Sequence, residues 1–368
     1  MTPNNIMTYG IITHYDVHNH GALLQLNALV QVLRQRFGIG ATALRFDKNY
    51  DFLGHELKVK YEISLRSSGV YLKYLRENGL RRMLFNVKKK RILDNFKRRQ
   101  SLAGDYYTAY EKLDGVIVGS DEVFALHTGP TPVFFGYACP SEKVFSYAGS
   151  FGPTTLEDID RLHCRDFVRG GLQSMKGLSM RDRNSTFIAR ELTGRDPVPV
   201  CDPVILYGYE REIETCRPVN LPPYLLIYAY DRNMNDPEEV EHIKAFARQK
   251  GLKIVSAGFY HRWADLNVNA DPVELLRYFK HACGVVTDTF HGSVMSIITG
   301  SNLAVRVRGN GNKLENLLEE YRLEEKILSP RKTLNDILSS PVNSAEVRRE
   351  VEVRRRESMN YLEQMITL

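Results

Sequence analysis

The segment GVVTDTFHGSVMSIITG, residues 284–300, joins two apolar runs through a short polar loop. The first run is typical of a buried strand that ends at Asp288, and the second predicts a helix that begins at Ser293 and stops at Gly300. The loop is therefore expected at the carboxyl end of a strand and the amino end of a helix. Because unpaired amide groups and the helix dipole favour an anion there, the loop is a candidate phosphate or carboxylate site.

His291 in this loop has two interpretations, which the spacing of residues alone leaves open. A histidine fixed beside an anion site binds a phosphate or carboxylate, or transfers a proton to it. In the other interpretation the imidazole only forms a hydrogen bond within the loop and has no chemical role.

Length and composition restrict the class of protein. A chain of 368 residues is expected to form two domains, since single cores usually stop growing at roughly 250–300 residues. A hydrophobic fraction of 43% fits a soluble protein, and no apolar run approaches the roughly 18 residues of a membrane span. Residues 1–9 show no signal-peptide pattern, so a cytoplasmic protein is expected. The net charge of +6 favours an acidic partner without identifying it.

The five cysteines are scattered and form no CxxC pair. Such a distribution argues against a zinc ribbon and against a disulfide framework, and it favours a reducing compartment.

The chain repeats a pattern of strand, polar loop and helix, which predicts α/β structure with parallel, doubly wound sheets. Residues 217–223 contain three prolines and are the best candidate for a linker. The expected domains are residues 1–217 and residues 218–343. Residues 344–368 predict a long charged helix that could pack back on the first domain.

Polar residues follow several predicted strands, among them Asn19, Asp121 and Arg181. In an open α/β sheet such residues line one crevice at the carboxyl ends of the strands. In the alternative, the aspartate and arginine only cap turns or pair with each other. His18 and His20 could ligate a metal, but no further ligands follow at later strands, so no metal site is expected.

Residues 80–99 carry nine lysines and arginines interleaved with apolar residues, which predicts a basic amphipathic helix. Such a helix could rest on an anionic membrane face, or it could be a solvated helix with its apolar side on the core. No aromatic stacking platform accompanies the charges, so nucleic acid is not expected as a partner.

Six short motifs occur in an order that resembles the polysaccharide pyruvyl transferase family. They are NHGALLQ (residues 19–25), VGSD (118–121), SYAGSFG (146–152), MRD (180–182), DP (202–203) and TDTFHG (287–292). The resemblance extends from about residue 9 to residue 318. It implies two Rossmann-like domains that face a cleft, as in GT-B glycosyltransferases.

The resemblance also implies a reaction. An enzyme of this family moves the pyruvyl group of phosphoenolpyruvate onto a sugar of a polysaccharide precursor, commonly as a cyclic ketal, and releases phosphate. Phosphoenolpyruvate is then a co-substrate, and no cofactor is expected. The product would belong to an exopolysaccharide or a capsule.

His291 and Arg181 match family positions implied in donor binding and catalysis. The resemblance implies a proton donor or phosphate ligand at His291 and an anion clamp at Arg181. Gly292 and Ser293 would contribute to the same donor site through the start of the helix.

Thr289 stands where some family members have an arginine. The missing positive charge is expected to come from Lys313, Arg306 or Arg308, which follow the next predicted strand.

Ketal formation also requires a base for the sugar hydroxyl and an acid for the methylene carbon. Asp121 and Asp288 are candidates for these roles, although either could be structural. By analogy with GT-B enzymes, the acceptor is expected in the first domain, near His14, Asn19, Gly21 and Asp121.

A lipid-linked acceptor would explain the basic segment, which would hold the enzyme on the inner face of the cytoplasmic membrane. Three other functions compete with pyruvyl transfer. They are a GT-B glycosyltransferase that uses a nucleotide sugar, a non-catalytic protein that binds anions or nucleic acid, and a metal-dependent hydrolase built on His18 and His20.

Overall fold

The computed structural model describes residues 6–47, 68–309 and 311–368, and the side chains of all of these except residues 68–78 and 128. Two five-stranded sheets, one in each half of the chain, organise the fold. All pairings within the two sheets are parallel, as the repeated strand–helix pattern predicts.

The first unit contains a five-stranded sheet and a small sheet of two short strands. The five strands are β1 (Thr8–Ile12), β2 (Gly40–Arg45), β3 (Ala103–Tyr106), β4 (Gly115–Val118) and β5 (Val144–Ser146), in the spatial order β3-β2-β1-β4-β5. The two short strands are β6 (Ser179–Met180) and β7 (Val198–Pro199). The helices are α1 (His20–Phe37), α2 (Ser68–Arg99), α3 (Leu156–Arg161), α4 (Arg165–Ser174), α5 (Arg183–Thr193), α6 (Pro203–Tyr207) and α7 (Glu210–Thr215).

The second unit begins after residues 216–223. Its strands are β8 (Tyr224–Tyr228), β9 (Lys253–Ala257), β10 (Leu266–Val268), β11 (Gly284–Thr287) and β12 (Leu303–Val305), in the order β10-β9-β8-β11-β12. The helices are α8 (Pro237–Lys250), α9 (Pro272–Lys280), α10 (Phe290–Thr299), α11 (Asn312–Glu320), α12 (Leu334–Ser339) and α13 (Ser344–Thr367).

Helix α10 begins three residues earlier than the sequence predicts. The side chain of Thr289 accepts a hydrogen bond from the amide of Gly292 at 2.9 Å, which makes Thr289 the N-cap and starts the helix at Phe290 rather than Ser293. The predicted end at Gly300 is correct. This glycine has a φ of 67°, in the left-handed region that commonly terminates helices.

The final helix, α13, packs against the first unit although it follows the second in sequence. The Tyr361 hydroxyl donates to the Ser146 carbonyl at 2.8 Å, and the Ser358 hydroxyl accepts from the amide of Cys201 at 2.8 Å. These contacts attach the end of the chain to the first unit.

Helix α2 extends beyond the predicted segment and is interrupted at Gly79, where φ is 77°. Phe85, Leu93 and Phe96 are buried, whereas Leu80, Leu84 and Val87 are exposed. One apolar side of the helix therefore rests on the protein while another apolar stripe faces solvent, and contact with a membrane stays a prediction. None of the described helices is long and apolar enough to span a membrane.

Helix α2 also reaches the second unit across the cleft. The Arg82 guanidinium pairs with Asp231, and the Asn269 side chain donates to the Phe85 carbonyl at 2.9 Å. The ring of Phe85 packs on that of Tyr260, with centroids 5.6 Å apart. One end of the cleft between the two sheets is thus covered by α2.

Candidate active site

A cavity of about 270 Å³ lies between the two units, among the loops that follow their strands. Residues from both halves of the chain line it: His14, Val17, Asn19, Ala22, Asp121, Glu122 and Arg181 from the first, and Tyr228, Tyr230, Asp288, Thr289, Phe290, His291 and Lys313 among those from the second. The structure therefore brings Asn19, Asp121 and Arg181 into one crevice with His291, as strand-end positions predict.

Arg181 lies between two carboxylates. Its guanidinium is 2.9 Å from Asp121 Oδ1 and 3.0 Å from Asp202 Oδ2, and it packs over the ring of Phe290. The side chains of Arg181 and Asp202 are 1% and 0% exposed. Both carboxylates belong to the first unit, so the ion pairs of Arg181 hold this part of the site together, and only its contact with Phe290 reaches the second unit among the contacts of the described residues. This differs from the expected clamp on a substrate anion.

Asp121 has a strained backbone and a stabilised charge. Its φ is 81°, a conformation uncommon for residues other than glycine and found at functional sites. Burial alone would raise the pKa of Asp121, but Arg181 and then His291 outweigh it, so this pKa lies well below its ordinary value. A carboxylate with so low a pKa accepts protons poorly near neutral pH, which argues against Asp121 as the general base.

His291 is held by hydrogen bonding across the interface between the units. Its Nε2 lies 3.3 Å from Gln25 Oε1 and 3.8 Å from Asp202 Oδ2. The same Gln25 oxygen accepts from Arg181 Nη1 at 3.3 Å and from the Ser120 hydroxyl at 2.9 Å. Because an arginine can only donate, this Gln25 atom is the oxygen, and His291 Nε2 carries a proton that it donates.

Burial lowers the pKa of His291 below its ordinary value, although Asp202 and Asp121 oppose this effect. The imidazole is therefore neutral at neutral pH, with its proton on Nε2. An anion bound in the cavity would raise this pKa again, because it would stabilise the imidazolium form.

The amide groups of the α10 loop are partly occupied. Gly292 donates to the Thr289 side chain, and Ser293 donates to the Thr289 carbonyl at 3.2 Å. Within the described residues, only the amides of Phe290 and His291 remain without an acceptor at this helix start. We therefore expect the amides of Phe290 and His291, rather than those of Gly292 and Ser293, to bind an anion at this helix start.

The cations expected to replace the arginine absent at Thr289 are not equivalent. Lys313 lines the cavity and forms an ion pair with Glu122 of the first unit. Arg308 contacts the cavity residue Asp288 at 2.9 Å. Arg306 pairs with Glu239 at 3.1 Å and does not line the cavity, so the structure does not bring it into the expected donor site.

Asp288 differs from Asp121 in its ionisation. Burial raises the pKa of Asp288, opposed by the Asn233 side chain at 2.7 Å and by Arg308. A carboxyl group whose pKa is raised is better suited to proton transfer near neutral pH than one whose pKa is depressed. Of the two aspartates singled out from the sequence, Asp288 is thus the stronger candidate for acid–base chemistry.

The residues expected on the acceptor side have contacts of their own. His14 Nε2 lies 3.2 Å from the Glu122 carbonyl, and Asn19 caps α1 by accepting from the amides of Gly21 and Ala22. Gly21 packs directly on His291, since a Cβ at this position would lie 2.3 Å from His291 Cγ. These residues shape the cavity wall and position the histidine.

His18 and His20 do not form a common site. His18 lies 3.5 Å from Asp94 of α2, whereas His20 Nε2 lies 3.0 Å from the Ala270 carbonyl. Burial lowers the pKa of His20 to about 3, as expected for a neutral histidine in the core. Among the described residues no group of three or more histidine, cysteine, aspartate and glutamate side chains is arranged for a metal ion.

Three side chains of the site were not singled out from the sequence: Gln25, Asp202 and Glu122. The only sequence feature that points to a role for Gln25 and Asp202 is that they lie within the quoted motifs. Nothing in a glutamine on an apolar helix indicates that its oxygen will accept from residues of three distant segments.

Comparison with protein families provides the identification. The family described as polysaccharide pyruvyl transferase matches residues 19–301, more than half of the chain. The chain belongs to this family. It is a transferase of polysaccharide biosynthesis, and its family description implies a polysaccharide acceptor. A comparison with curated proteins found no significant match.

Solved structures resemble the transferase in fold. A protein from Listeria monocytogenes described as a UDP-N-acetylglucosamine 2-epimerase has 9% identity and a TM-score of 0.50, over 96% of this chain and 91% of that one. The UDP-GlcNAc 2-epimerase from Neisseria meningitidis has 10% identity and a TM-score of 0.49, over 99% and 100%. The calicheamicin glycosyltransferase CalG4 has 12% identity and a TM-score of 0.44, over 99% of each chain. The two parallel sheets confirm the predicted α/β fold class with one sheet in each half of the chain, and at these identities the likeness to solved structures concerns the fold alone.

Replacing Gly21 with alanine is expected to displace His291, because the added Cβ would overlap the imidazole. We expect kcat/KM of the transferase to fall about 100-fold, the cost of misplacing a reacting group by roughly 1 Å. The matched control is Gly40→Ala, since a Cβ at Gly40 would meet no atom closer than 3.7 Å. Equal activity of the two variants would show that the position of His291 does not matter.

Proposed function

We propose that this transferase moves the pyruvyl group of phosphoenolpyruvate onto two hydroxyl groups of a saccharide, with release of phosphate and formation of a ketal. The observation that carries the proposal is the placement of His291. Its side chain lines a cavity of about 270 Å³ between the two units together with Lys313, next to the amides of Phe290 and His291, which have no acceptor among the described residues. Helix amides and lysines are the groups that proteins use to bind phosphate and carboxylate.

The steps of this reaction determine which chemical groups the site must supply. One hydroxyl oxygen bonds to C2 of phosphoenolpyruvate and loses its proton, while the methylene carbon C3 gains a proton and becomes a methyl group. The bond from C2 to the phosphate oxygen then breaks, and phosphate leaves with its electron pair. The second hydroxyl oxygen bonds to C2 and loses its proton, which completes the ketal. The chemistry therefore needs anion binding and proton transfer in both directions.

The cavity residues can be matched to these needs. A substrate phosphate would compete with Glu122 for Lys313 and accept from the amides of Phe290 and His291. The buried carboxyl group of Asp288, whose pKa is raised, would exchange protons with the reacting atoms. Arg181 would hold Asp121 and Asp202 beside His291 rather than bind the donor itself.

The test is release of phosphate from phosphoenolpyruvate in the presence of glycosides of galactose, glucose and N-acetylmannosamine, with lipid-linked saccharides as further acceptors. We expect release that depends on an acceptor. Incubation with phosphoenolpyruvate alone is the control. No release with any acceptor would contradict the proposal, and consumption of a nucleotide sugar instead would favour the glycosyltransferase alternative.

We also propose that the acceptor is lipid-linked and that α2 holds the transferase against an anionic membrane surface. Leu80, Leu84 and Val87 are 57%, 57% and 44% exposed and lie one helical turn apart on one face. Exposed Arg81, Lys88 and Arg91 flank this apolar stripe. Apolar side chains bordered by cations are the features with which an interfacial helix binds anionic lipid.

The triple change of Arg81, Lys88 and Arg91 to glutamine tests this surface. Each cation near an anionic surface contributes about 1 kcal/mol, so the affinity for phosphatidylglycerol vesicles is expected to fall about 100-fold. Vesicle sedimentation measures this fall. The matched control changes Arg348, Arg349 and Arg356, three exposed arginines of α13, to glutamine. Unchanged binding of the α2 variant would rule out this surface.

A further inference from the structure

The two ends of the central cleft differ. At one end α2 crosses to the second unit, and Lys89 Nζ lies 4.3 Å from the centroid of the Phe259 ring, which lines the cavity. At the other end a wider cleft of about 760 Å³ opens between α5 of the first unit and α11 of the second. Glu122 and Lys313 line both the cavity and this cleft. The wider cleft therefore adjoins the cavity at this ion pair.

Phe187 is the most informative residue of this cleft. It belongs to α5, its neighbours Ile188 and Ala189 are buried, and yet its own side chain is 52% exposed. A large aromatic ring left open in a concave surface is typical of a binding site rather than of a solvated helix face. The flat face of such a ring packs well on the C–H groups of a pyranose sugar.

Two asparagines of the cleft have hydrogen-bonding groups available for sugar hydroxyls. The Asn184 side-chain amide donates to the carbonyls of Gly152 and Thr154, at 3.2 and 3.0 Å, so its oxygen remains free to accept within the described part of the chain. Asn316 Oδ1 accepts from the Arg183 amide at 2.8 Å, so its NH₂ group is the one left to donate. A hydroxyl both donates and accepts, and it fits this pair.

We infer that the cleft between α5 and α11 is the subsite for the acceptor saccharide, with Phe187 as the surface on which a sugar ring packs. This inference rests on the proposed pyruvyl transfer for its choice of ligand. It places the saccharide on the opposite side of the Glu122–Lys313 pair from His291, and not along the wall formed by His14, Asn19 and Gly21. A sugar in the cleft presents its hydroxyls to Glu122, a carboxylate that borders both spaces.

The size of the two spaces agrees with this division. The inner cavity, about 270 Å³, is slightly below the usual range of small-molecule sites, whereas the outer cleft, about 760 Å³, is well within it. A compact donor with phosphate and carboxylate groups suits the inner cavity. A saccharide of more than one ring requires the outer cleft.

The experiment compares Phe187→Ala and Phe187→Tyr with Glu191→Ala, an exposed residue of the same helix that lines neither space. Phosphate release is measured over a range of acceptor glycoside and then of phosphoenolpyruvate. We expect Phe187→Ala to raise KM for the glycoside about tenfold and to leave KM for phosphoenolpyruvate unchanged. Phe187→Tyr retains an aromatic face and is expected to behave like the unmodified enzyme.

Saturation-transfer NMR with the same galactose, glucose and N-acetylmannosamine glycosides, in the absence of phosphoenolpyruvate, gives a second readout that needs no turnover. Loss of glycoside binding in Phe187→Ala alone supports the subsite. Equal glycoside binding in all variants, or none by the unmodified protein, overturns it. Failure of the pyruvyl transfer itself is recognised separately, as absence of phosphate release by a protein that binds glycosides through Phe187.

Discussion

Replacement of His291 by glutamine is expected to lower kcat/KM for phosphoenolpyruvate by about 10²–10⁴, the usual contribution of a positioned group that transfers protons. The imidazole lies at the cavity, with Nε2 donating to Gln25. Glutamine carries an NH₂ group near the position of Nε2 that can donate to Gln25, so the contact between the units is kept while the imidazole is removed. Phosphate release at limiting phosphoenolpyruvate measures the effect.

The matched control is His242→Gln, since His242 is an exposed histidine of α8 outside the cavity lining. It is expected to leave kcat/KM unchanged. If the His291 variant were as active as this control, the role of the histidine would be confined to hydrogen bonding between the units. A fall in activity together with an unchanged melting temperature would assign it to the chemistry.

Replacement of Arg181 by methionine is expected to lower the free energy of unfolding by about 3–5 kcal/mol, the cost of removing one partner of a buried ion pair. The change leaves Asp202 fully buried and Asp121 mostly buried without their cation. Denaturant unfolding followed by circular dichroism measures the loss. Because Arg181 also donates to the Gln25 oxygen to which His291 donates, the variant should lose activity as well.

Arg190→Met is the control for this prediction. Arg190 pairs with Asp196, but their side chains are 54% and 79% exposed. Water already solvates such a pair, so its loss is expected to cost less than about 1 kcal/mol. Equal stability of the two variants would mean that Asp121 and Asp202 are not held by Arg181. In the double variant Arg181→Met and Asp202→Asn, removal of the buried charge should recover part of the stability.

The membership in the pyruvyl transferase family and the GT-B-like fold could be predicted from the sequence. Short apolar runs followed by polar loops indicate parallel strands because each run is buried on both faces, and this signal is local. The ordered motifs around Asn19, Asp121 and His291 identified the family for the same reason. Such motifs are contiguous, so no knowledge of distant contacts is required to recognise them.

The partners of each charged group could not be predicted in this way. Arg181 was expected to clamp an anion, yet it lies between Asp121 and Asp202, which are 60 and 21 residues away. Lys313 was one of three candidates for the missing positive charge, and its ion pair with Glu122, 191 residues away, could not be read from the sequence. The free energy of an ion pair depends on distance and burial, and both are set by how the chain folds.

At the start of α10, what the local sequence determines and what only the tertiary structure determines can be separated within a few residues. The sequence of residues 284–300 alone determined a strand, a polar loop and a helix that ends at Gly300. Which amides remain free depended on the Thr289 side chain, which accepts from Gly292 and so caps the helix. Only the tertiary structure placed His291 against Gly21 and Gln25 of the other unit, because the contact joins segments about 270 residues apart. The strand, loop and helix follow from local periodicity and motifs, whereas the contacts of His291 depend on how the two sheets pack together.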